Sequence, residues 1–398
     1  MAGSMKERSP GVWRLRVFTG RDPRTGHPQQ LHETFRGTEA AAKKRLAKLV
    51  TQVDEGKFDR TKATVSQLLD RWLANIEGER SPTTIRDYRG AIEHAIRPAI
   101  GAMKLAKLGP DNLDAWYQYW LAEEIRPAAG DAPAAFRTPT TVRKYHAIIS
   151  AALQQALKWG WVGENVAKRA SPPSARRQHL TIPTPEELQA MVRAGEAKEP
   201  SLGTAIALAA LTGARRGELC ALRWTDVALG RLTIGRSIIV TKGKIIEGPT
   251  KTHQVRVIAL DALADGVLAA RRQQVEDIAR RAEAALQSDG FILSPRADGA
   301  RPMLPDTLTH WFGDLMEDME FPYHLHQLRH FSVTTALGAG VDVRTVAARH
   351  GHADARMTLQ VYAHAIGASD QQAAEALGRA LTPQEADVAD LEEHFRSA

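Results

Sequence analysis

A stretch of sixteen residues near the middle of the chain, ASPPSARRQHLTIPTP (170–185), limits folding more than any other. Its four prolines remove backbone donors and fix φ, so neither a helix nor an inner strand can run through it. The 398-residue chain must therefore fold as separate parts, each long enough for its own core. Residues 171–184 are expected to form an extended linker whose adjacent Arg176 and Arg177 could run along a DNA backbone.

Ahead of the linker, two modules are expected. In 1–60, extended patterns at 4–7, 13–18 and 30–35 are separated by turn residues such as GRDPRTGHP. A helix capped by Thr38 follows and ends at Gly56, giving a three-stranded sheet plus helix. Arg14 and Arg16 fall on a strand face without apolar partners, the kind of β-surface that can enter a major groove. In 61–170, VSQLLDRWLANI, TTIRDYRGAIEHAI, PDNLDAWYQYWLAEE and TPTTVRKYHAIISAALQQALKWGWV repeat apolar residues at three and four, so this part is expected to be almost wholly helical. Arg86, Arg89, Arg143 and Lys144 lie on its polar edges, expected close to helix N-termini that also favour phosphate.

Beyond the linker, 185–366 reads as a mixed α+β domain. Helices at 185–195 and 202–213 lead to a helical ARRGELCALRW; short strands follow at 232–234, 237–240 and 256–260, then a helix over 262–286. The tail, 367–398, is helical and acidic and could dock on a neighbouring protomer. The fold class is multidomain and mainly α with small β-sheets.

Charge is distributed unevenly. Lys and Arg exceed Asp and Glu by 6 in 1–60 and by 6 in 61–180, balance in 181–366, and fall 5 short in the tail. The basic half is where phosphates could be neutralised. Cys220 is the only cysteine, which excludes an intrachain disulfide and points to a reducing cytosol. No apolar run reaches membrane-spanning length and no signal pattern opens the chain, so a cytoplasmic protein is expected.

Chemistry-bearing residues concentrate in HLHQLRHFSVTTALGAGVDVRTVAARHGHADARMTLQVYAH (324–364). Short helices are expected at 345–349 and 355–364, with Tyr362 one step off the apolar face of the second, its hydroxyl able to enter a cleft. Zinc would need local ligand spacings completed by carboxylate or thiolate; His324-Leu325-His326 has a strand-like spacing, no cysteine is near, and Arg329 repels a cation, so no metal is assigned. Upstream, TGARRGEL places Arg215 at a helix start with Glu218 one turn on, and Lys251 in GPTKTHQVRVIAL is expected at a hairpin tip. Singly, each has an ordinary structural explanation: a helix ion pair, a solvated lysine, a core tyrosine.

In order, however, TGxRxxEL, a TKT, HxLRH, GH, and a tyrosine ten residues past His352 form a five-part pattern. With it the chain resembles the tyrosine recombinases, the phage-integrase family. The resemblance is specific over about 184–366 and weaker over the helical module, which it implies binds core DNA, and the N-terminal sheet, which looks like an arm-site module. It implies Arg215, Lys251, His326, Arg329 and His352 as activating residues, Tyr362 as nucleophile and Glu218 as support. His350 stands where leucine is usual, and Val255 where a small polar residue is common. The resemblance also implies a tetramer on two DNA partners, with accessory bending or directionality proteins possible and no cofactor.

The chemistry suits these residue types. Conserving a phosphodiester's bond energy requires a covalent phosphoenzyme, and a phenol leaves more readily than an alkyl alcohol, so the step reverses. Its pKa near 10 demands cationic surroundings. Arg215 and Arg329 as planar forks, with His352 as donor, can hold the non-bridging oxygens; Lys251 is suited to protonate the departing 5′ hydroxyl and His326 to take the tyrosine proton. Two alternatives stay open: a type IB topoisomerase, against which the arm-like module argues, and a non-catalytic DNA-binding regulator, which would not need Tyr362.

Overall fold

The computed structural model describes residues 3–21, 27–54, 61–125, 135–174, 181–241, 243–252 and 254–352. The chain divides into two compact units, Met1–Gln178 and His179–Ala398.

The first unit begins with β1 (Gly3–Ser9), β2 (Val12–Arg21) and β3 (Pro28–Arg36), an antiparallel sheet in the order β1-β2-β3, followed by α1 (Glu39–Asp54). Side chains alternate across β2: Leu15 and Val17 are fully buried against Ala42, Leu49 and Val53 of α1. The register pairs Arg14 with Lys6 and Thr34, and Arg16 with Ser4 and His32, so these side chains share the opposite face. Glu33 lies on the core side, where Arg45 of α1 binds it bidentately at 2.7 and 2.8 Å.

Next come α2 (Val65–Ile76), α3 (Pro82–Ala91), a π-helical turn (Ile92–Ile96), α4 (Arg97–Ile100), α5 (Pro110–Ala122), the paired β4 (Glu124–Ile125) and β5 (Ala135–Phe136), and α6 (Pro139–Lys158). Starts are set by side-chain caps: Thr64 with Gln67 in a reciprocal pair, Ser81 and Thr138. Pro98 cannot donate to the preceding turn, and the π-turn just before it takes up the change of register. Val65, Leu68, Leu69, Trp72 and Leu73 of α2 close on Leu113, Trp116 and Tyr117 of α5 and Ile148, Ile149 and Leu153 of α6. The β4–β5 pair is the part of this almost wholly helical module that the sequence did not mark: at two residues per strand it is too short for alternation to register. The start of the linker is tied to this unit, since the Ser171 amide donates to Asp114 at 2.6 Å and Arg143 to the Pro173 carbonyl at 3.2 Å. Arg176 and Arg177 lie outside the described residues.

The second unit contains α7 (Pro185–Lys198), α8 (Pro200–Thr212), α9 (Arg216–Ala221), β6 (Val227–Ala228), β7 (Arg231–Ile234), β8 (Arg236–Thr241), β9 (Lys244–Pro249), β10 (Arg256–Ala259), α10 (Ala262–Arg281), α11 (Pro305–Asp318), α12 (Leu325–Gly338) and α13 (Val343–His350). The central α8 is buried nearly all round, and Met191, Leu219, Phe312 and Leu328 from α7, α9, α11 and α12 join its core. Cys220 is in that core, and burial pushes its thiol up to about 12, consistent with an inert apolar side chain.

Two expectations change here. Lys251 is not at a hairpin tip: β9 pairs with β8 and β10 with β7, so its turn joins two separate sheets, while the β8–β9 tip carries Gly243. And α10 stops at Arg281, with Glu283 at φ 50, rather than running to 286. Among the described residues no helix is long and apolar enough to cross a membrane.

Candidate active site

The site is built where three chain segments end. Thr212 closes α8, and Gly213 takes the left-handed conformation, φ 61, that turns the chain towards α9. No side chain fits there: a Cβ on Gly213 would lie 2.2 Å from Cδ2 of His350. Arg215 then caps α9 in a reciprocal pair with Glu218, whose Oε2 accepts the Arg215 amide at 3.0 Å while Oε1 accepts its Nη1 at 2.8 Å. Arg215 Nη2 donates to the Gly351 carbonyl at 3.2 Å, linking residues 136 apart in sequence.

On α12, His326 and Arg329 lie on the first turns, and Arg329 is 3% exposed. Its terminal nitrogens donate to the carbonyls of Gly213 and His350, so this fork clamps the ends of α8 and α13 together. Burial, with Arg215 nearby, pulls Arg329 down to about 9. His324-Leu325-His326 does not have strand spacing: His324 is the N-cap and His326 is inside the helix, which places His326 and His330 one turn apart with ring centroids 4.9 Å apart, edge to face. Periodicity could not mark this start because His324 caps with its backbone, not with a side-chain hydroxyl or carboxylate. Among the described residues no group of three or more His, Cys, Asp or Glu is placed to hold a metal ion.

His350 and His352 flank Gly351, the left-handed cap of α13. His350 is fully buried, with Nδ1 2.8 Å from the Val346 carbonyl and Nε2 3.0 Å from Ser332 Oγ. A leucine there could not bridge these groups, which is why an imidazole fits beneath Gly213. His352 reaches the cluster from the following residue, its amide donating to the Ala347 carbonyl at 3.0 Å. Lys251 is exposed and near enough to His326 to lower its pKa. A cleft of about 380 Å³ opens beside Arg215 and His326, lined also by Ala214, Arg216, Thr309 and His324.

Electrostatically, several cations surround one buried carboxylate. Burial alone would raise Glu218, but hydrogen bonds and charge from Arg256 and Arg215 hold it below the usual carboxylate range. Loss of hydration lowers His326 and His352 to about 4, helped by His330 and then Arg329 at the first and by Arg329 and Arg215 at the second; loss of hydration lowers His350 to about 3 despite the Val346 hydrogen bond. His326 is open to the cleft on one side, so a phosphate arriving there would raise it again. At neutral pH each imidazole therefore has one donor and one acceptor nitrogen.

These shifts predict acid lability. His350 and His352 bind protons in the unfolded chain below about 6.5, yet in the fold only near 3 and 4. Between those limits the unfolded state holds more protons, so stability falls as pH drops from about 6.5 towards 4. Glu218, whose folded pKa is lowered, adds a further loss below the ordinary carboxylate range. Melting temperatures recorded across that range should fall steadily in wild type, and less steeply for His350→Gln.

The sequence-derived set converges for Arg215, Glu218, His326, Arg329 and His352, with Lys251 at the edge; Tyr362 lies outside the described residues. Arg256, His330 and Gly213 were missed. Arg256 looked like an ordinary strand residue, although an arginine facing a core that contains Glu218 was a signal.

The expected DNA contacts in the first unit fall on the α3–α6 edge and on the outer sheet face. Arg86 and Lys144 approach Asp87 at 3.5 and 3.8 Å, Arg89 pairs with Glu77 at 3.3 Å, and Arg14 and Arg16 occupy the outer sheet face. Arg89 sits in the last turn of α3, not near its N-terminus as expected. Such exposed pairs are worth roughly 0–1 kcal/mol, so exchanging a carboxylate for a phosphate costs little.

Comparison with known proteins decides the family. Residues 183–367 match the phage integrase family, and 64–121 match the phage integrase N-terminal SAM-like domain. The chain belongs to the phage integrase family. An integrase of Streptomyces ambofaciens is 25% identical over 349 residues, 82% of this chain and 82% of that protein. The Tn1549 transposon integrase bound to transposon right end DNA has the same fold, with TM-score 0.66 and 16% identity over 79% of this chain and 99% of that one. A lambda integrase tetramer bound to a Holliday junction aligns at TM-score 0.55 and 18% identity, covering 90% and 94%. Membership makes this family member a tyrosine recombinase, a site-specific DNA strand-transferring enzyme.

Proposed function

We propose that the chain integrates or excises a mobile element, cutting each strand through Tyr362 to leave a 3′-phosphotyrosyl bond and a free 5′ hydroxyl. The carrying observation is the convergence of Arg215, His326, Arg329 and His352 in one cluster around Glu218, with Arg215 and His326 lining the cleft beside it. Arg215 and Arg329 hold the non-bridging oxygens as charge grows, and His352 donates a hydrogen bond. His326, neutral at physiological pH, accepts the phenolic proton, and Lys251 supplies a proton to the departing 5′ oxygen. Religation reverses the sequence on a new 5′ hydroxyl.

On this reading 1–60 binds arm-type sites, 61–170 and 185–366 grip core DNA either side of the 171–184 linker, and the 367–398 tail docks on a neighbouring protomer. The lambda integrase tetramer on a Holliday junction supports a tetrameric assembly here too. The reaction takes place in the cytoplasm of a bacterial host, on the nucleoid, with accessory bending or directionality proteins as further partners.

The test is incubation with a nicked duplex carrying the cognate attachment site, in which the protein should form an SDS-resistant adduct; no adduct on any attachment-site duplex refutes the proposal. Binding should also be strongly salt-dependent, because Lys and Arg exceed Asp and Glu by 6 in each of 1–60 and 61–180. With 6–10 phosphate contacts, affinity should fall about 10³-fold or more between roughly 50 and 200 mM salt. A flat salt titration would remove that half as the DNA anchor.

A further inference from the structure

We infer that Arg256 is a positioning residue for strand cleavage: it fixes the Gly351–His352 turn against Glu218 and so sets where Arg215 and His352 meet the scissile phosphate, an inference that rests on the function proposed above. Arg256, on β10, is 8% exposed and points three ways from one guanidinium. Nε donates to the Arg349 carbonyl at 3.0 Å, at the end of α13. Nη2 donates to Glu218 Oε2 at 2.6 Å, the oxygen that also accepts the Arg215 amide. Nη1 lies against Gly351, where an added Cβ would approach it to 3.1 Å. The Gly351 carbonyl in turn accepts from Arg215. Hydrogen bonds therefore run Arg215–Glu218–Arg256–Arg349, and the backbone from Arg349 to Gly351 closes the circuit on Arg215, with His352 the next residue along.

Stability alone does not account for this arginine. Nη1 is buried and has no hydrogen-bond partner among the described residues, a desolvation cost that a well-packed apolar side chain would avoid. Lysine could keep the Glu218 contact but not hold the Arg349 carbonyl at the same time, because it has one nitrogen rather than a fork. What the fork provides is fixed geometry between two groups that touch the phosphate. Displacement of a reacting group by about 1 Å can cost 10²-fold in rate.

The experiment measures single-turnover adduct formation by the full-length protein on the nicked duplex, for wild type, Arg256→Lys, Gly351→Ala, Arg215→Lys and the Arg256→Lys/Arg215→Lys double variant. Circular dichroism and DNA affinity are recorded for each. Arg256→Lys and Gly351→Ala should bind DNA as wild type does, yet cleave about 10²-fold more slowly. The double variant should be little slower than Arg215→Lys alone, because both changes break one circuit. A methylphosphonate at the scissile position, which removes the charge the circuit serves, should shrink the Arg256→Lys loss. Wild-type rates in both Arg256→Lys and Gly351→Ala, or losses that multiply in the double variant, would overturn the inference. If wild type itself forms no adduct, the functional reading fails first, and the inference with it.

Discussion

Tyr362→Phe is expected to abolish the covalent DNA adduct completely while DNA affinity stays unchanged. The substitution removes one oxygen, and the hydroxyl that lines the cleft, Thr309, offers no equivalent: it already donates to the Pro305 carbonyl at 2.9 Å and accepts from Arg216 at 2.8 Å, and an alkyl alcohol leaves less readily than a phenol. A phenol with an ordinary pKa near 10 is mostly protonated at neutral pH, so its reactivity depends on cationic surroundings and on a neutral acceptor such as His326. Binding, in contrast, is proposed to rest on basic residues in the first half of the chain, where Lys and Arg exceed Asp and Glu. Gel electrophoresis in SDS reads the adduct and a mobility shift reads the complex. An adduct that survives the substitution would mean another residue attacks.

The second large effect is at Arg329. Arg329→Lys should lower the cleavage rate about 10²–10³-fold, the usual cost of removing one preorganised donor from a transition state. The cause is partly the lost fork and partly the site. Both terminal nitrogens are committed to the carbonyls of Gly213 and His350, and a lysine can satisfy one of them. Arg329 itself is pulled down to about 9 by burial and by Arg215, so an amine in the same place would lose its proton far more readily. The orphaned carbonyl should also cost about 1–3 kcal/mol of stability, visible as a lower melting temperature. A Lys variant that cleaves within threefold of wild type would show that Arg329 is a structural clamp and not a phosphate ligand.

Much of this was readable from residues alone, and the boundary has physical causes. Helices whose starts are written in hydroxyls, at Thr64, Ser81, Thr138 and Thr184, could be placed, because a side-chain cap leaves a mark in the sequence. The α12 start at His324 could not, since its cap uses the backbone amide. The Lys251 turn resembled a hairpin tip because the segments on either side both look like strands; which strand each pairs with is a long-range matter that local patterns do not encode. For the site, motif order named Arg215, Glu218, His326, Arg329 and His352, which the fold gathers in one cluster, two of them, Arg215 and His326, lining the cleft. It passed over Arg256, and it took His350 as a departure from leucine. Both act beneath the surface, and their value is visible only in what they touch: Glu218 and the Arg349 carbonyl for one, Ser332 and the bare face of Gly213 for the other.

The bonds that hold the cleft together join positions far apart, Arg215 to Gly351 over 136 residues and Arg329 to Gly213 over 116. Such closures form late in folding, because the loop must be shut before the contact rewards it. On the function proposed above, a chain still emerging from the ribosome would present its basic leading half before it has an assembled grip with which to break a strand. Strand cutting is then expected only after Gly351 has been made and these distant contacts have closed.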